Sequence, residues 1–240
     1  TAEARLRFGE KVDRLGPFLL RGDPLADDAA DVLAGLPTPA REALLARLLR
    51  EGAQADAPEA LRRLFAQLDH VPFWLDRERA DRGGQAFLRS GPLGGFVLGA
   101  YSLIIGYCSP AGNKPLAFTG RLQEQVPRRL AETGRFVRVV SQRGGMRRDG
   151  EGFAVTVRVR LMHAHVRRLL RVSPRWRAQD YGEPINQLDM VGTTLLFSAV
   201  VIDGLRRLGV PVSAAEAEDL LHLWRYVGYV MGVSEELLAT

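Results

Sequence analysis

The chain has 240 residues, of which 46% are apolar and 25% charged, the balance of an ordinary globular protein large enough to enclose an internal cavity. Its 33 Lys and Arg against 28 Asp and Glu give a net charge of +5, but only Lys11 and Lys114 are lysines and most arginines stand beside acids, so no basic nucleic-acid face is expected. Cys108 is the only cysteine, which excludes internal disulfides and covalent attachment of a c-type haem.

The first third reads as short amphipathic helices. Asp23-Pro24 and Thr38-Pro39 each place a capping side chain before a proline at the first helical position, and Gly52 stands where a helix stops. The start of the chain is acidic and helix-like rather than basic and then apolar, so no secretory leader is visible and a cytoplasmic location is expected. A helix is predicted from Pro72 to about Arg82 and a longer apolar one over about 85–108. Its most membrane-like part, Leu93 to Cys108, is shorter than the roughly 20 residues a bilayer needs. No transmembrane segment is therefore expected, and the glycines at 94, 95, 99 and 106 fit close approach of a flat ligand or another helix. The Ser109 to Asn113 loop ends this segment.

Further helices are predicted over about 119–141, 155–171, 184–208, 213–231 and 234–238. Val155, Val157, Val159 and Leu161 alternate with polar residues, so a short strand is the competing assignment there. Ser213 with Glu216 forms a capping box ahead of Leu220, Leu221 and Trp224. The Arg143 to Arg148 cluster surrounds a Gly-Gly pair and reads as a loop. No linker divides the chain, and the whole of 1–240 is taken as one all-α, multi-helix domain.

Two of these helices carry polar residues on apolar faces. At 100° per residue, Leu122, Val126, Leu130, Thr133, Val137 and Val140 share one arc, and Arg129 falls among them. A guanidinium there needs an acid or an anionic ligand, because burying it bare costs several kcal/mol. A structural ion pair is the ordinary explanation. On the next helix Val155, Val159, Val166 and Leu170 share an arc centred on His163, with Arg160 and Arg167 on one flank. A neutral imidazole on such a face suits a metal, but by spacing alone a lone histidine there is usually a core residue bonded to a carbonyl. Neither HExxH nor a cysteine pair is present to suggest zinc.

The segments Arg129-Leu-Ala-Glu132-Thr133, Val159-Arg160-Leu-Met-His163-Ala164-His165-Val166-Arg167, Gly182-Glu-Pro-Ile-Asn186-Gln187 and Gly192-Thr193-Thr194 with Phe197-Ser198 resemble the catalytic domain of the latex clearing protein and MpaB-type oxygenases. Pro72 to Asp76, Thr119-Gly120-Arg121 and the stretch from Trp224 to Leu238 continue the likeness. It covers about 71–240, leaving 1–70 as an N-terminal helical part. The resemblance implies an all-helical fold with a globin-like core and non-covalent haem b, with His163 as the proximal iron ligand. Arg129 and Thr133 would lie beside the haem, and Arg129, Arg160 and Arg167 become propionate candidates, the last two having a solvated helix flank as the alternative. The implied activity is oxidation or cleavage of carbon–carbon double bonds of a hydrophobic, isoprenoid-like substrate with dioxygen. A haem-binding sensor or carrier without turnover is the other reading. Glu132 stands where a relative has a lysine that can cap the iron, so it is either a base or a solvent-facing residue. The family's upstream acidic residue has no counterpart near Asn113.

Overall fold

The computed structural model describes residues 2–118 and 126–238, without the side chains of Ala2, Val126, Pro127 and Arg129. Among the described residues every regular element is helical. Helices α1 (Ala2–Phe8) and α2 (Lys11–Leu15) and a 3-10 turn lead to α3 (Pro24–Ala34), α4 (Thr38–Glu51) and α5 (Glu59–Asp69). Asp23 caps α3 as expected, its carboxylate accepting from the Ala26 amide at 3.3 Å. Thr38 is instead the first residue of α4, which Pro37 precedes without a side-chain cap.

Helix α6 (Arg77–Arg89) lies along α15 (Ala214–Met231), the most enclosed helix of the fold, which buries Leu220, Leu223, Trp224, Val227 and Val230. The Ser213 and Glu216 capping box starts α15, and Gly232 in the left-handed conformation ends it. Gly83 and Gly84 do not break α6; they let it approach its neighbours. A Cβ at Gly83 would collide with the Asp219 carbonyl and one at Gly84 with that of Ser141. Arg79 and Arg82 then close on the Asp219 carboxylate at 2.9 and 2.8 Å.

The break expected near residue 82 comes at Ser90-Gly91-Pro92 instead, where Gly91 takes φ +57° and the chain turns by 90°. Helix α7 (Pro92–Val97), a π turn (Leu98–Ser102) and α8 (Leu103–Tyr107) follow, then α9 (Lys114–Phe118). Helix α10 (Val126–Ser141) runs through a Gly-rich turn into α11 (Glu151–Arg171). The possible strand is thus absent: Phe153, Thr156, Val157, Arg160, Leu161, Ala164 and Arg167 are all buried at helical spacing. In the turn, Arg148 binds the Leu48 and Leu49 carbonyls and Asp69 inside the fold, while Arg143 and Arg147 stay exposed.

After the short α12 (Ala178–Tyr181), the single helix expected over 184–208 is two, α13 (Gln187–Phe197) and α14 (Ala199–Arg207), broken at Ser198. The hydroxyls of Thr193, Thr194 and Ser198 each donate to the carbonyl four residues back, a pattern that bends helices. The stretch Gln187–Arg207 is apolar and long enough to cross a membrane; a third of its most apolar part is buried, with Met190, Val201, Ile202 and Leu205 in the core. Helix α16 (Glu235–Leu238) completes the described chain.

Candidate functional site

Close to their connecting turn, α10 and α11 seal each other, with Val137, Val139 and Val140 on one and Gly152, Phe153 and Val157 on the other fully buried. Farther out the seal opens. Leu130 is 46% exposed and Thr133 half-buried on α10, and Met162 and Leu169 are 41% and 48% exposed on α11. Val155, Val166, Val159 and His163, which run in that order around the helix from this exposed edge toward the buried arc, are half-buried. The protein therefore leaves a continuous apolar stripe of α11 incompletely covered, and His163 lies on its edge. At 1.5 Å per residue His163 stands about 18 Å along α11 from the turn, and Arg129 the same distance along α10. Its helical position agrees with the expectation, while its side chain and the whole of Thr119, Gly120, Arg121 and Leu122 lie outside the described residues.

The centre of the buried arc of α11 is occupied by the arginines, not by His163. Arg160 forms a fork on Asp23, Nε to Oδ2 at 2.7 Å and Nη2 to Oδ1 at 3.0 Å, and its Nη1 donates to Gln67 and the Val230 carbonyl. Arg167 donates from Nε to Asp27 at 2.7 Å and from Nη1 to the Ile185 carbonyl. Asp27 also receives Arg171, and Arg168 pairs with Asp31, so α3 and α11 are joined by a ladder of ion pairs. The solvated flank is corrected for Arg160 and Arg167: both are buried, Arg160 in a fork on Asp23 at the start of α3 and Arg167 on Asp27 through Nε alone. As candidates for a propionate they therefore already hold protein carboxylates. Sequence reasoning missed Asp23 and Asp27 as these partners, although their i, i+4 spacing beside an alanine-rich face was a usable signal. Glu132 faces solvent in an i, i+4 pair with Arg128 at 2.8 Å.

His163 keeps some exposed surface, but its Nδ1 is sealed and has no hydrogen-bond partner. Burial first, and then the positive charge of Arg167, hold its pKa down at about 4, against a smaller opposing effect of Asp23. The ring is therefore neutral at neutral pH and has a lone pair to offer. Among the described residues no three His, Cys, Asp or Glu side chains converge as a metal site. A single imidazole holds iron firmly only when a macrocycle supplies the other ligands, and a flat apolar macrocycle is what an uncovered apolar stripe would accept. The residues present thus fit haem.

The same depressed pKa has a consequence for stability. The unfolded chain protonates His163 near its ordinary value of 6.5, whereas the fold resists until about 4, so unfolding takes up a proton between those values. Stability is fully present above pH 6.5 and is lost as pH falls toward 4, by on the order of 3 kcal/mol. His222, also pushed down by burial, acts in the same direction. Thermal unfolding of cofactor-free protein should thus weaken more steeply over this range in wild type than in His163→Phe; parallel curves would show that the imidazole is not held neutral.

A helical domain that presents one neutral imidazole beside an open apolar stripe is the frame defined by these observations. The chain belongs to the family of ER-bound oxygenase mpaB/B′ and rubber oxygenase catalytic domains, whose model matches residues 92–240. It is 28% identical over 221 residues to the rubber oxygenase of Streptomyces sp. strain K30, covering 88% of this chain and 54% of that protein. The solved structure of latex clearing protein in the closed state matches with a TM-score of 0.72 and 26% identity, over 92% of this chain and 61% of that one. The chain thus spans little more than half the length of the relatives it matches.

Proposed function

We propose that this domain binds haem b through His163 and uses dioxygen to oxidise or cleave carbon–carbon double bonds of a hydrophobic, isoprenoid-like substrate. The observation that carries this reading is the neutral His163 with its sealed, unpartnered Nδ1 beside the half-covered stripe of Val155, Val159, Met162, Val166 and Leu169. Family membership supplies the reaction class: its name joins oxygenase and rubber oxygenase. Haem bound there supplies an iron that takes up and activates dioxygen.

The chain's own residues do the rest. The half-covered stripe of α11 and the face of α10 at Leu130 and Thr133 would, with haem seated against them, shed water and favour a hydrocarbon over a polar substrate. The Thr133 hydroxyl, on that same face, is the polar group within the apolar wall suited to orient a small polar reactant. Arg129, on the same arc of α10, provides the charge for a propionate or for dioxygen. Glu132 is paired with Arg128 at the surface and faces solvent.

Purified protein reconstituted with haem should show a Soret band at one haem per chain and consume dioxygen when given cis-1,4-polyisoprene oligomers, releasing carbonyl products. Haem uptake without any dioxygen consumption would favour a sensor or carrier, and no haem uptake would remove the reading altogether.

A further inference from the structure

An axial histidine ordinarily donates its second ring N–H to a carboxylate, a backbone carbonyl or a water, which raises its strength as a ligand. At His163 the described protein offers neither a carboxylate nor a carbonyl: Nδ1 is sealed without a protein partner. One turn along the same face of α11, Arg167 also has a buried and unpartnered nitrogen, Nη2, although its Nε and Nη1 are engaged. Residues four apart on a helix are direct neighbours. The position where a histidine's acceptor usually sits is therefore bordered by a donor that carries a full positive charge.

Asp23 is the acid whose charge acts on the ring, but it is bound in the fork of Arg160, and Asp27, the partner of Arg167, is shared with Arg171. Each of these acids is thus already held by an arginine, and among the buried arginines of α11 Arg167 is the one left with an unspent N–H.

We infer that Arg167 is a positioning residue that weakens His163 as an electron donor to the metal it holds. With Nε2 given to a metal, the proton would stay on Nδ1 with no protein acceptor to draw it off and a positive charge one turn away, so the ring would not shift charge toward the metal as it does when a carboxylate receives that proton. The expected result is a bound iron with a raised reduction potential and a soft bond to the protein. This rests on the haem reading above.

The test is the midpoint potential of the haem-loaded protein in wild type and Arg167→Met. Removing the charge should favour the oxidised form at least tenfold, a fall of about 59 mV for a one-electron couple. Arg171 remains on Asp27 in that variant, so the acid is not stranded. If Arg167→Met does not fold, Asp27→Asn serves instead: it removes the carboxylate that offsets Arg167, and the potential should rise. In wild type, the iron–imidazole stretch of the ferrous protein should lie lower than in haem proteins whose axial histidine donates to a carboxylate. A stretch as high as theirs, or a potential unchanged in the variant that folds, overturns the inference while leaving haem binding intact. Failure of the wild type to take up haem overturns both.

Discussion

His163→Ala should be isolated nearly free of haem, with affinity lowered by more than about 100-fold, beyond the 10–100-fold that loss of a supporting partner costs at a metal site. Of the four histidines, His163 is the one that combines a depressed pKa, a sealed unpartnered nitrogen and a place on the open stripe. His222 is also buried, but its Nε2 accepts the Asp76 amide at 3.0 Å and its ring meets Trp74 edge-on, so its lone pair is occupied. His222→Ala should therefore lose stability yet keep haem at full stoichiometry, and His165→Ala, changed at an exposed position, should keep both. Added imidazole should restore part of the Soret band in His163→Ala, because the cavity left by the ring is lined by the same apolar neighbours. A full complement of haem in His163→Ala without imidazole would falsify the assignment.

Arg160→Met should destabilise the protein by about 3–5 kcal/mol even without cofactor, the cost of leaving a buried charge unpaired. Asp23 is 3% exposed, and when the fork is removed its carboxylate keeps only the amide at the start of α3. For a chain of this size the loss corresponds to a fall in Tm on the order of 10 °C. The double variant Arg160→Met with Asp23→Asn should recover much of it, since no charge is then left buried. Haem affinity of whatever folds should be close to that of wild type, in contrast to His163→Ala. A normal Tm with impaired haem binding would instead return Arg160 to the role of a propionate partner. Chemical or thermal unfolding of the cofactor-free proteins, followed by haem titration, separates these outcomes.

The sequence by itself determined what is local. Asp23, the Ser213 and Glu216 box, and Gly52 mark helix ends, because each acts on backbone groups within a few residues. Periodicity placed Thr133, Val137 and Val140 on one face and singled out His163, and the surrounding motif pointed to the family. What lies opposite a face was not legible, because periodicity specifies direction and not the partner found there. Asp23 is 137 residues from Arg160, and Asp27 is 140 from Arg167, so only the packing of α3 on α11 could show that these guanidinium groups are consumed in structure. That α6 runs unbroken through Gly83 and Gly84 depends on its close approach to α15 and α10, which moves the turn on to Gly91-Pro92, and the break at Ser198 goes with hydroxyls donating to carbonyls one turn back. The open stripe beside His163 is likewise a tertiary property: the valines and leucines that make it are ordinary core residues in the sequence, and they become a candidate binding surface because α10 and α11 seal only near their turn.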